Sequence, residues 1–175
     1  MSFWTGFAKR AAADKAVSTV AVVRGGKLLM GRRRDNGRWT CPGGHLEDHE
    51  DPLMGAVREL REESGLEADP KQLSHLKTVK VVKPDGGKLT VHAYCLHLGG
   101  AQRTTMRGDP DGEVHRWHWV NYAGGLSAQI AGNLHVPMER NVLMKALGAD
   151  RADAAAPLQK AAFWRGFGPV HGVAV

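Results

Sequence analysis

Cysteine is scarce. The chain of 175 residues has two, Cys41 and Cys95, with no CxxC pair, which argues for a reduced, cytoplasmic setting over a disulfide scaffold. No apolar run approaches the length of a membrane span, and no signal-peptide core is present. No repeat of solenoid length occurs either. Neither sign of charge is lacking. The net charge of +6 is a modest push toward anionic partners, nucleotides or nucleic acid, and is equally compatible with ordinary surface charge. With 42% hydrophobic and 24% charged residues, the composition is that of a globular domain with a sizeable core.

The informative stretch is Gly44 to Leu66, GHLEDHEDPLMGAVRELREESGL. Asp51 suits a helix N-cap, Pro52 the first turn, and Gly65 the left-handed residue at the helix end. Within that helix Leu53, Val57 and Leu60 form an apolar stripe, while Glu59, Glu62 and Glu63 project together from another side. Crowded carboxylates repel one another. Arg58 can bridge to Glu62 four residues on, which neutralises one charge and leaves a surplus. Hard oxygen ligands suit Mg²⁺ or Mn²⁺. On composition alone such a face reads as solvated helix surface; the spacing of the whole stretch decides otherwise.

Gly44, five residues, Glu50, seven residues, then Arg58-Glu59-Leu60-Arg61-Glu62-Glu63-Ser64-Gly65-Leu66 resembles the Nudix box at every fixed position. The approach, Trp39-Thr40-Cys41-Pro42-Gly43-Gly44, also looks like that of the Nudix hydrolases. One departure is His49, where many members carry glycine, so a different loop shape is expected there. The resemblance implies an α/β fold, an α/β/α sandwich with a mixed β-sheet. It also implies hydrolysis of a pyrophosphate bond in a nucleoside diphosphate derivative or triphosphate. By the same resemblance Glu59 and Glu63 are the main metal ligands, with Glu62 beside them and the Gly43 carbonyl contributing. Arg58 orients the glutamates, and Glu50 shapes the loop or holds metal through water. The catalytic base varies within the family; Glu59 and Glu113 are both candidates.

Around the box, Val17 to Val23 reads as a buried strand and Lys27 to Arg33 as its hairpin partner, across Arg24-Gly25-Gly26. Arg32, Arg33, Arg34 and Arg38 form a basic cluster for substrate phosphates, with Arg33 and Arg38 singled out. Gln72 to Lys83 and Lys88 to Leu98 are strands about a Pro84-Asp85-Gly86-Gly87 turn. In the second, Val91, Ala93 and Cys95 face one way and His92, Tyr94 and Leu96 the other. Residues 99–112 form a long polar loop, Arg116 to Val120 a short aromatic strand, and Pro137 to Leu147 a helix. Trp39, Trp117, Trp119 and Tyr94 are candidates for stacking on a base, against their commoner use as core. His45 and His49 are loop residues, too few for zinc.

The expected organisation is an N-terminal arm (1–15), the Nudix domain (16–148) and a linker with an aromatic tail (149–175). The motif FWxGF occurs at both ends, Phe3–Phe7 and Phe163–Phe167. It suggests packing on the domain, a homodimer, or a partner held by the tails. Three functions compete: a Mg²⁺-dependent enzyme on a small nucleotide, one on RNA 5′ ends, and a non-catalytic binding module. The last typically loses box glutamates, which this chain has kept.

Overall fold

The computed structural model describes residues 15–82, 87–99, 112–122, 130, 132–135 and 143–144. Outside the described residues lie residues 1–14 of the N-terminal arm, whose last residue Lys15 opens the first strand instead, residues 83–86 of the second turn, most of the 99–112 loop, the expected 137–147 helix apart from Leu143 and Met144, the linker and both FWxGF segments.

The β-branched run becomes β1 (Lys15–Arg24), and Lys27–Arg33 becomes β2. Gly25 and Gly26 turn between them at φ 51° and 73°, the paired left-handed conformation that a tight hairpin demands. The hairpin ladder is short: Val23 pairs with Leu28 and Arg24 with Lys27, and the strands then part. The beginning of β1 instead takes β4 (Gly43–His45), with Ser18 opposite Gly44 and Thr19 opposite Gly43. On its other side β1 runs parallel to β6 (Lys88–His97), which pairs antiparallel with the edge strand β5 (Leu73–Val82). β2 is flanked by β3 (Trp39–Thr40) and β7 (Val114–Asn121). The sheet is therefore mixed, in the order β3-β2-β1-β6-β5, with β4 on β1 and β7 on β2.

Alternation along each strand sorts the core into two layers. Val20, Val22, Leu29, Tyr94 and Leu96 meet the helix α1 (Pro52–Ser64) through Ala56 and Leu60, with Leu53 and Val57 packed at its margin. Ala21, Val23, Leu28, Met30 and Cys95 form the other layer with Ile130, Leu134 and Leu143. The two faces read for the Lys88–Leu98 strand are both covered, because α1 packs on one side of the sheet and Ile130, Leu134 and Leu143 on the other. Burying Leu60 completely contributes about 2 kcal/mol toward docking the helix. Among the described residues no helix is long and apolar enough to cross a membrane.

Candidate active site

α1 begins and ends as its sequence requires. Asp51 accepts from the N–H groups of Leu53 and Met54 at 2.9 and 3.2 Å, and Pro52 occupies the first turn. Gly65 closes the helix at φ 72°, its N–H bonded to the Arg61 carbonyl. With Ala56 and Leu60 turned into the sheet, Glu59, Glu62 and Glu63 are left beside β4. Glu63 accepts the Gly43 N–H at 2.7 Å, which ties the last turn of the helix to the loop before it.

Arg58 is the hub of the acidic face. Its Nε and Nη2 donate to the two oxygens of Glu50 at 2.8 and 2.9 Å, a bidentate pair. Its Nη1 donates to Glu59 at 3.0 Å and Glu62 at 2.8 Å, and Nη2 also reaches the His45 carbonyl. The bridge to Glu62 alone, read from helical spacing, is thus too narrow. The fork also serves Glu50 and Glu59, because the loop brings Glu50 back over the helix. Glu50 shapes that loop further by accepting the Glu47 N–H at 3.0 Å. The Arg58 hydrogen bonds hold the Glu50 carboxyl at a pKa of about 2. Glu59 goes the other way: burial holds its carboxyl above the usual range, and Glu62 and Glu50 add to this, against the pull of Arg58.

The residues fit a divalent cation. Three carboxylates, those of Glu50, Glu59 and Glu62, share the guanidinium of Arg58, and the Glu63 carboxylate one turn on accepts the Gly43 N–H, so hard oxygen donors are gathered on a partly buried surface. Gly44 provides room for it: a Cβ there would lie 2.7 Å from the carboxyl carbon and both oxygens of Glu59. The donors are hard oxygens, as Mg²⁺ and Mn²⁺ prefer. Among the described residues no three His, Cys, Asp or Glu side chains converge as a ready-made ligand set. The acids turn instead to the donors beside them, Arg58 and the Gly43 N–H.

His49, expected to give the loop a different shape, sits in a backbone conformation unusual for its type. It holds φ 65°, the left-handed conformation that glycine adopts freely, so the loop has a glycine-type backbone at a histidine.

Away from the box, the structure brings Arg33 and Glu113 together. Arg33 Nη1 donates to the Glu113 carboxylate at 2.9 Å and its Nε to Asp35 at 3.0 Å, and the Arg34 N–H bonds the Glu113 carbonyl. Two residues read as independent phosphate and acid groups are one ion pair, closed by the antiparallel meeting of β2 and β7. Arg38 is partly buried beside His135, whose ring bonds the Asn36 side chain at 3.1 Å. Of the aromatic candidates, Trp117 and Tyr94 are 5% and 7% exposed and belong to the core. Trp39 and Trp119 are half-buried, with Arg32 and Arg24 lying over their rings at 5.3 and 5.1 Å.

Sequence reasoning missed Ser18. It is fully buried and donates to the Pro52 carbonyl at 2.7 Å, fixing β1 to the start of α1. The signal was there: a hydroxyl pair, Ser18-Thr19, inside an otherwise apolar strand. Thr19 bonds the Pro42 carbonyl at 3.1 Å, just ahead of the glycines.

Comparison with known proteins follows the same outline. The family model described as NUDIX domain matches residues 14–133. A MutT-like protein of Streptomyces ambofaciens is 36% identical over 92 residues, which are 51% of this chain and 56% of that protein, so the match spans little more than half of the relative's length. An RNA pyrophosphohydrolase of Roseobacter denitrificans is 27% identical over 141 residues, 73% of this chain and 84% of that one. Among solved structures, a bifunctional NMN adenylyltransferase/ADP ribose pyrophosphatase of Francisella tularensis, complexed with AMP and a Mn ion, superposes with a TM-score of 0.60. It is 17% identical, over 78% of this chain and 42% of that one, and shows the shared fold. With the box intact on its loop and helix, and the family model matched across most of its length, the chain belongs to the Nudix family.

Proposed function

We propose that this protein hydrolyses a pyrophosphate bond in a nucleoside diphosphate derivative or nucleoside triphosphate, by attack of water at phosphorus, with a divalent metal. The observation that carries the reading is the Arg58 hub, which holds Glu50, Glu59 and Glu62 together on one side of α1 while Glu63 is tied to Gly43. Glu59 and Glu63 would hold Mg²⁺ or Mn²⁺ with the Gly43 carbonyl, and Glu62 stands beside them. When bound, the ion offsets the negative charge of a diphosphate and lowers the pKa of its water.

The chain's own groups do the rest. Arg58 keeps Glu59 and Glu62 from swinging apart, which preserves the ligand geometry. Glu59 is our first candidate for proton acceptor, on its place against Gly44 of β4 and the Arg58 guanidinium. Glu113 is the second candidate, and substituting each by Gln separates them. Arg33 and Arg38 border the strand end where substrate phosphates would enter, and Trp39 offers a partly open ring for a base.

The test is turnover of a panel of nucleoside triphosphates, dinucleoside polyphosphates and nucleotide sugars with Mg²⁺ and phosphate detection. Glu63→Gln should abolish turnover while leaving the fold intact; unchanged turnover would rule out the metal role of Glu63. A second reading, removal of pyrophosphate from RNA 5′ ends, is favoured by the Roseobacter relative and by the net charge of +6. A 5′-triphosphorylated oligoribonucleotide hydrolysed faster than any mononucleotide, with binding that weakens steeply as salt rises, would select it.

A further inference from the structure

Trp117 is far from the box in sequence and takes no part in the chemistry above. It sits on β7, and its indole Nε1–H donates to the backbone carbonyl of Glu63 at 2.8 Å. That carbonyl belongs to the last four of α1, which have no partner within the helix. The final turn of a helix is its least constrained part, yet this one carries a proposed metal ligand. Glu63 is thereby held at both its main chain, by β7, and its carboxylate, by the Gly43 N–H of β4 at 2.7 Å.

The indole is itself fixed from beneath. Gly31 on β2 lies opposite Trp117 in the β2–β7 ladder. A Cβ on Gly31 would come 2.8 Å from the ring and 2.7 Å from a methyl of Val114. Glycine at this position therefore lets the ring approach the strand closely enough to settle beneath the end of α1.

We propose that Trp117 is a positioning residue: through the Glu63 carbonyl it sets the direction of the Glu63 carboxylate and so the affinity of the site for divalent metal. The inference rests on the proposed role of Glu63 as a ligand. Losing the indole donor releases the last helical turn, and the ligand must then be ordered at the expense of binding.

Free Mn²⁺ measured by electron paramagnetic resonance during titration of the intact protein tests this without an activity assay. Trp117→Phe keeps an aromatic ring and removes the N–H; Gly31→Ala keeps the N–H and displaces the ring. Each should weaken Mn²⁺ binding about tenfold. Val23→Ala, a truncation in the opposite core layer, controls for general destabilisation and should leave Mn²⁺ affinity within about twofold of wild type, since distant sites act independently. If wild type binds Mn²⁺, Glu63→Gln loses it, and Trp117→Phe, folded by its thermal transition, binds as wild type does, the positioning role is overturned and the metal reading stands. If Trp117→Phe and Val23→Ala weaken binding equally, the positioning role is likewise overturned. If wild type binds no Mn²⁺, or Glu63→Gln binds it unchanged, both readings fall together.

Discussion

The Cα of Gly44 abuts the carboxylate of Glu59: a methyl group added there would stand 2.7 Å from all three carboxyl atoms. The close approach follows from β4 lying directly under the acidic side of α1. Gly44→Ala should therefore displace Glu59 and lower kcat at least tenfold, with a loss of stability of about 1–3 kcal/mol typical of overpacking. Steady-state kinetics and urea unfolding on the same preparation check both parts.

The Glu50–Arg58 pair makes a separate prediction. Both side chains are largely withdrawn from solvent, and their bond is bidentate. Glu50→Gln leaves Arg58 short of its main partner, and should cost about 1–3 kcal/mol in urea unfolding. The freed guanidinium should then compete for Glu59 and Glu62, so the concentration of Mg²⁺ giving half-maximal rate should rise. A variant as stable as wild type, with the same Mg²⁺ requirement, would contradict the hub.

His49 holds a left-handed backbone at φ 65°. His49→Gly relieves that strain, which is worth about 1 kcal/mol or somewhat more, against the extra freedom glycine gives the unfolded chain. The expected net result is a variant more stable by up to about 1 kcal/mol, read as a rise in thermal midpoint. A lower midpoint would show that the histidine side chain contributes something the glycine cannot.

Acid sensitivity should come partly from His135. Burial, aided by nearby Arg33, depresses its pKa to about 4 from an ordinary value near 6.5. The folded state holds the ring neutral while the unfolded chain takes up a proton, so stability is highest above about pH 6.5 and falls as the pH drops toward 4. The loss should be on the order of 1–2 kcal/mol, after discounting for the solvent that reaches the ring. His135→Gln should flatten the stability profile in that window, measured by chemical unfolding at several pH values.

Much of this site was legible in the chain itself. The caps at Asp51 and Gly65, the stripe of Leu53, Val57 and Leu60, and the acidic face follow from helical geometry acting on neighbouring residues. The hairpin at Gly25-Gly26 follows from glycine's tolerance of positive φ. What could not be read depends on pairing between distant strands. Arg33 meets Glu113, and Trp117 meets Glu63, only because β7 joins β2; no local periodicity encodes that register. The backbone at His49 was not legible for a different reason: its left-handed conformation is set by the surrounding Glu47, Glu50 and Arg58 contacts and not by the residue's own preference.

The central claim is that the box carboxylates grip a divalent cation. Anomalous diffraction from a crystal soaked in Mn²⁺ tests it most directly. The account predicts a peak between Glu59 and Glu63, in contact with the Gly43 carbonyl, that disappears in Glu63→Gln. A crystal with Mn²⁺ bound elsewhere and none at this place, the acids still turned to Arg58 and the Gly43 N–H, would contradict it.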